Sequence, residues 1–79
     1  MYGNMTNKDA VAVTPDDSAN LPRGVCNALY IGGAGAVAVT TEAGAVVTFA
    51  AVPAGTMLQI RASKVRATNT TATLILAMY

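Results

Sequence analysis

The residues able to do chemistry are few, and their neighbours decide what each can do. Cys26 is the one thiol, and the chain has no histidine. A nucleophilic cysteine needs a base to take its proton, commonly an imidazole. Without one, Cys26 reads as a small buried hydrophobe. A lone cysteine also excludes an intramolecular disulfide framework and a cysteine-based zinc cage. Asp16 and Asp17 are adjacent carboxylates, whereas glycoside hydrolysis needs two carboxyls about 5–9.5 Å apart across a sugar. In Thr14-Pro15-Asp16-Asp17 they read as turn chemistry, because Pro presets φ and Asp side chains accept from nearby N–H groups. Gly33-Ala34-Gly35-Ala36-Val37-Ala38 fits the G-x-G-x-x-A pattern of dinucleotide sites. That pattern must open a helix, yet the residues that follow are strand-like, and Glu42 comes too early to hold a ribose. The segment therefore reads as a glycine-rich connection between strands. Arg61, Lys64 and Arg66 form the one basic cluster. Polyanion contact calls for interleaved aromatics or a larger basic excess, so the cluster is expected on a solvated or inter-subunit face. No catalytic, cofactor or metal site is expected, and no nucleic-acid partner.

The elements that hold these residues must come from an unusual composition. The chain has 79 residues, 53% apolar and only 11% charged, with a net charge of +1. About 25% charged residues is usual for a soluble domain, and disorder needs the reverse balance. A chain this short buries only about 60% of the surface exposed on unfolding. Apolar surface in excess of the available interior implies association with other subunits. The apolar residues are mostly small or β-branched: 16 Ala and 9 Val, beside 10 Thr, against 9 for Leu, Ile and Phe together. Such side chains suit thin, closely packed sheets. The longest unbroken apolar run, Leu74 to Tyr79, is far short of the about 20 residues of a membrane helix. Met1 to Ala10 lacks the basic start and apolar run of a secretory signal.

Along the chain, residues 1–9 are polar and aperiodic, and are expected to be a flexible or partner-ordered arm. Residues 10–79 form a single β domain. Strands are expected at Ala10–Thr14, Ala28–Ile31, Ala36–Thr41, Ala45–Phe49, Met57–Arg61, Ser63–Thr68 and Ala72–Tyr79. They are punctuated by the turn signals Thr14-Pro15-Asp16-Asp17, Thr41-Glu42-Ala43-Gly44 and Val52-Pro53-Ala54-Gly55. About seven short strands, with no sustained helical period, predict an all-β fold, a small sandwich or barrel. The expected core is Leu29, Ile31, Val37, Val39, Val47, Phe49, Leu58, Ile60, Leu74 and Leu76. The last strand is apolar on both faces, which suits burial on both sides. With Leu74 and Leu76 inside, Ile75 and Ala77 fall to the contact face. Tyr79, Arg61, Lys64 and Arg66 complete the expected oligomer or capsid interface.

Four segments resemble, in order and spacing, the small head-spike base proteins of gene transfer agents and related tailed bacteriophages. They are Val13 to Arg23, Ala28 to Gly32, Val47 to Thr56 and Arg66 to Thr73. The resemblance runs from about Ala10 to Tyr79. It implies a non-enzymatic virion protein on the outer capsid surface, assembled in the bacterial cytoplasm: a head-spike base, fibre-attachment platform or cement protein. Its partners would be further copies of itself as a pentamer or trimer, the major capsid protein, and a spike or fibre protein. Membranes and cofactors have no part in that picture. The alternative reading is a cellular β-domain binding module for carbohydrate. A sugar site wants exposed aromatic platforms, and Tyr2, Tyr30, Tyr79 and Phe49 are few.

Overall fold

The computed structural model describes residues 9–79. The arm expected at residues 1–9 therefore lies, except for Asp9, outside the described residues. Seven strands follow in order: β1 (Ala10–Ala12), β2 (Ala28–Gly33), β3 (Gly35–Thr41), β4 (Val46–Val52), β5 (Thr56–Leu58), β6 (Ala62–Val65) and β7 (Thr73–Met78). They make two antiparallel sheets, one ordered β1-β7-β2-β5 and the other β4-β3-β6. The fold is all-β, and the sequence periodicity located every strand.

The turns form for the reasons their residues suggest. In the β3–β4 hairpin, Thr41 N–H donates to Ala45 C=O at 2.8 Å, and Gly44 N–H donates to Thr41 C=O at 2.9 Å. Gly44 sits at φ 96°, where a side chain would be strained. The Pro53–Gly55 turn carries the chain from β4 in one sheet to β5 in the other, with Gly55 N–H donating to Ile31 C=O at 2.7 Å. Asp16 accepts from Ser18 N–H at 2.9 Å and Ala19 N–H at 3.0 Å, the turn-forming role expected of it. The long loop after β1 runs along the outer edge of β6. There Asp16 N–H donates to Val65 C=O, Leu21 N–H to Ser63 C=O and Cys26 N–H to Ala62 C=O, at 2.8, 2.9 and 3.0 Å.

Leu29, Ile31, Val37, Val39, Val65 and Cys26 are the largest fully buried side chains. Phe49, Leu58, Ile60, Val13 and Tyr79 pack against them in part. Three expected core residues are displaced: Leu74 is 76% exposed, Val47 is 38% exposed, and Leu76 is only half-buried, on the outer face. Conversely, Ile75 and Ala77, expected at a contact face, are only 2% and 0% exposed. Register explains the exchange. β7 pairs Ile75 with Ile31 and Ala77 with Leu29, and directly opposed residues share a face. Since Ile31 and Leu29 point inward, Ile75 and Ala77 do too, and Leu74, Leu76 and Met78 point away. Val47 faces the core side opposite Val39, but β4 is an edge strand and nothing among the described residues closes that end.

Candidate assembly surfaces

The outer face of the four-stranded sheet is built from side chains that periodicity would send to an interior. The ladder aligns Ala12, Leu76, Tyr30 and Met57 in one row across β1, β7, β2 and β5. Beside that row Leu74 projects over Gly32. A Cβ on Gly32 would stand 2.9 Å from the Leu74 Cβ and carbonyl oxygen, so glycine is what lets the two strands keep this approach. Leu74 takes φ 53°, a left-handed conformation that costs an ordinary residue about 1–2 kcal/mol. An open cleft of about 590 Å³ lies here, lined by Ala12, Val13, Tyr30, Gly32, Leu74, Ile75 and Leu76. None of these side chains is charged at neutral pH. The surface can exclude water from an apolar partner, and it offers no acid, base or nucleophile pair for chemistry.

The structure splits the basic cluster. Arg61 makes a two-pronged pair with Glu42, Nε–Oε1 at 2.8 Å and NH2–Oε2 at 3.2 Å, and reaches Asn27 Oδ1 at 3.1 Å. The Arg61 hydrogen bonds hold the Glu42 carboxyl below its ordinary pKa. Arg66 lies 3.9 Å from Asp17. Lys64 stands on the outer face of the other sheet, opposite Thr40, and makes no ion pair among the described residues. Arg61 and Arg66 are thus each engaged with a carboxylate, on Glu42 and Asp17. Tyr79 is a latch: its hydroxyl donates to Gly24 C=O at 2.9 Å, and the Arg23 guanidinium lies 5.6 Å from its ring centroid. Arg23 also pairs with Asp9, whose backbone exchanges hydrogen bonds with Tyr79 in both directions. Desolvation pushes the Tyr79 hydroxyl above its ordinary pKa.

Cys26 is fully buried, and that burial raises the pKa of its thiol, as expected of a packing residue. Gly33-Ala34-Gly35 joins β2 to β3 with no helix after it, the strand connection expected from its context. Sequence reasoning missed the exposed edge of β4. Val46 to Val52 holds no Lys, Asp, Glu or Pro, the composition of a central strand rather than of a shielded edge, so the sequence carried no local signal for it.

No protein-family model matches the chain, and no curated protein does. Among solved structures, a chain in the capsid of a native gene transfer agent particle, computed with C5 symmetry, superposes with a TM-score of 0.84 at 29% identity. The match covers 100% of this chain and 90% of that one. A small two-sheet β domain with apolar outer surfaces is thus similar, end to end, to a piece of a virus-like shell. The likeness supports a capsid-related protein with a structural role in a virion.

Proposed function

We propose that the chain is a non-enzymatic structural protein of the outer surface of a phage-type capsid. It would serve as a head-spike base, a fibre-attachment platform or a cement protein, and act as a homo-oligomer. The full-length likeness to a gene transfer agent capsid chain carries this reading. The apolar outer sheet face agrees with it, because a shell protein works by burying surface against neighbours. In this reading Leu74, Leu76, Tyr30 and Met57 seat on the major capsid protein, and the opposite end of the domain remains available to a spike or fibre.

Co-sedimentation with capsids lacking this protein tests the proposal. The wild-type chain is expected to pellet with them, and a map of the decorated particle should show density on the outer surface. Leu74→Asp is expected to lose at least about tenfold in capsid affinity, since it puts a charge in a desolvated contact. Its sheet spectrum should persist, because Leu74 is 76% exposed in the free domain. A wild-type chain that ignores capsids over a range of salt and pH would overturn the proposal.

A further inference from the structure

β4 is a seven-residue strand at the edge of its sheet. Which of its backbone groups face outward follows from its neighbour β3. Arg66 N–H donates to Ala38 C=O at 2.7 Å, the Thr70 hydroxyl accepts from Ala38 N–H at 2.9 Å, and Thr40 is paired with Lys64 of β6. Ala38 and Thr40 thus turn their backbone groups away from β4, leaving Val37 and Val39 to bond Phe49 and Val47. Antiparallel pairing alternates sides along a strand. Val46 and Thr48 therefore direct their N–H and C=O groups to the open side, where no described residue bonds them; Ala50 follows them, just before the β3–β4 register shift at Ala51, which takes φ 55°.

The other edges are treated differently. The loop from Asp16 to Cys26 seals β6 with three backbone hydrogen bonds. β1 and β5 are three residues each, and the Ala10 N–H on β1 is taken by its neighbour Asp9 Oδ1 at 2.9 Å. Long, apolar, uncharged edges are templates for pairing with another chain, and folds normally blunt them with charge, proline or cover. On β4, the longest edge, a bulge with Ala51 at φ 55° disturbs the end of the strand, and among the described residues nothing covers Val46 to Phe49.

We propose that two copies of the chain pair antiparallel along β4, about a two-fold axis at Thr48, joining two three-stranded sheets into one of six strands. The proposal rests on the self-association in the reading above and gives it a two-fold form in place of the pentamer or trimer that the resemblance implies. A second copy is the occupant that fits, because in this register every outward-facing residue meets a matching one. Thr48 opposes the partner subunit's Thr48, and Val46 opposes the partner subunit's Ala50. On the core side, Val47 opposes the partner subunit's Phe49, and Phe49 the partner subunit's Val47. Thr–Thr and aromatic–β-branched pairs are among the favourable cross-strand combinations, and no like charges meet. The pairing covers Val46 and Val47, which are 59% and 38% exposed, and closes the open end of the core at Phe49. A standard interface takes about 800 Å² from each partner, under a fifth of the 4490 Å² surface. The outer side of β4 can supply it, flanked by the Thr41–Ala45 hairpin at one end of the strand and the Pro53–Gly55 turn at the other.

The test is a crosslink that only a two-fold axis at this position permits. Hydrogen-bonded antiparallel partners have Cα atoms about 5.5 Å apart, inside the range of about 4.4–6.8 Å for a disulfide. Thr48→Cys is expected to oxidise to a covalent dimer, while Ala43→Cys at the hairpin tip stays largely uncrosslinked. Cys26 is buried and does not compete. In sedimentation velocity the wild type should run as a dimer. Thr48→Pro should run as a folded monomer, because it removes only an N–H that faces outward; Thr48→Lys, which sets two ammonium groups face to face, checks that result independently. A monomeric wild type, or a trimer or pentamer in which Thr48→Cys gives no covalent pair, would overturn the proposal. Capsid binding is read separately: a monomeric Thr48→Pro that still pellets with capsids leaves the functional reading intact. A dimeric wild type that ignores capsids defeats that reading and not this one.

Discussion

Asp17 shows how a single side chain earns its place without catalysis. Its carboxylate accepts from the Thr68 hydroxyl at 2.6 Å and the Thr68 N–H at 2.9 Å, tying the loop after β1 to the turn after β6. The Thr68 hydroxyl is the main cause of a pKa below the ordinary 3.8, helped by the Thr68 N–H and by Arg66 and opposed by desolvation. A carboxyl with a depressed folded pKa adds stability above its unfolded value, and that stability is lost as pH falls through the folded value. The tie should therefore hold from neutral pH down to the ordinary 3.8 and weaken below it. Asp17→Asn is expected to melt below the wild type at pH 7, with the gap narrowing as pH drops below 3.8. A carboxyl NMR titration placing the Asp17 midpoint at or above that value would contradict the assignment. Asp16 obeys the same sign, its carboxylate held down chiefly by the Ser18 N–H.

Among the elements, β7 decides most. Its odd positions Ile75 and Ala77 are core and its even positions Leu74, Leu76 and Met78 are outer face, so charge should act oppositely at adjacent residues. Ile75→Asp buries an unpaired carboxylate beside Ile31, which is strongly unfavourable, and is expected to abolish the cooperative melt seen by circular dichroism. Ala77 is equally enclosed. Equal melting of Ile75→Asp and the wild type would show that the strand is turned over. Alternation alone could not decide this, because Leu74-Ile75-Leu76-Ala77-Met78 is apolar at both parities, and only pairing with Leu29 and Ile31 of β2 fixes the phase. Where one parity is plainly smaller or more polar, the sequence was legible: Val37 and Val39 were expected inside and are, and the hairpin at Thr41–Gly44 falls where its residues put it. The basic cluster was illegible for a different reason. Arg61 and Lys64 are near in sequence, but β3 and β6 shift register between Thr40 and Thr41, and Arg61 lies outside β6, where it meets Glu42. The bare edge of β4 depends on strand order, a long-range property that no local spacing reports.

At the scale of the whole molecule, interior and surface are poorly balanced for a solitary domain. Among the described residues no large aromatic is fully buried: the one Phe sits at the open rim, and the largest fully enclosed side chains are Leu29, Ile31, Val37, Val39, Val65 and Cys26. A core of that size supplies a few kcal/mol at most for a chain this short. Association that requires the folded form then adds stability by mass action. For a dimer that unfolds as it dissociates, each tenfold rise in concentration favours the folded pair by about 1.4 kcal/mol, or about 0.7 kcal/mol per chain. In a domain of 60–100 residues, 1 kcal/mol moves Tm by about 4–8 °C. The wild type is therefore expected to gain about 3–6 °C in Tm for each tenfold increase in concentration. Thr48→Pro, which keeps every β3–β4 bond but cannot pair, should melt lower and at one temperature throughout. Melting both proteins across a hundredfold range of concentration separates the possibilities. A flat wild-type Tm across that range means the domain is stable alone, and the bare β4 edge contributes nothing to holding it folded.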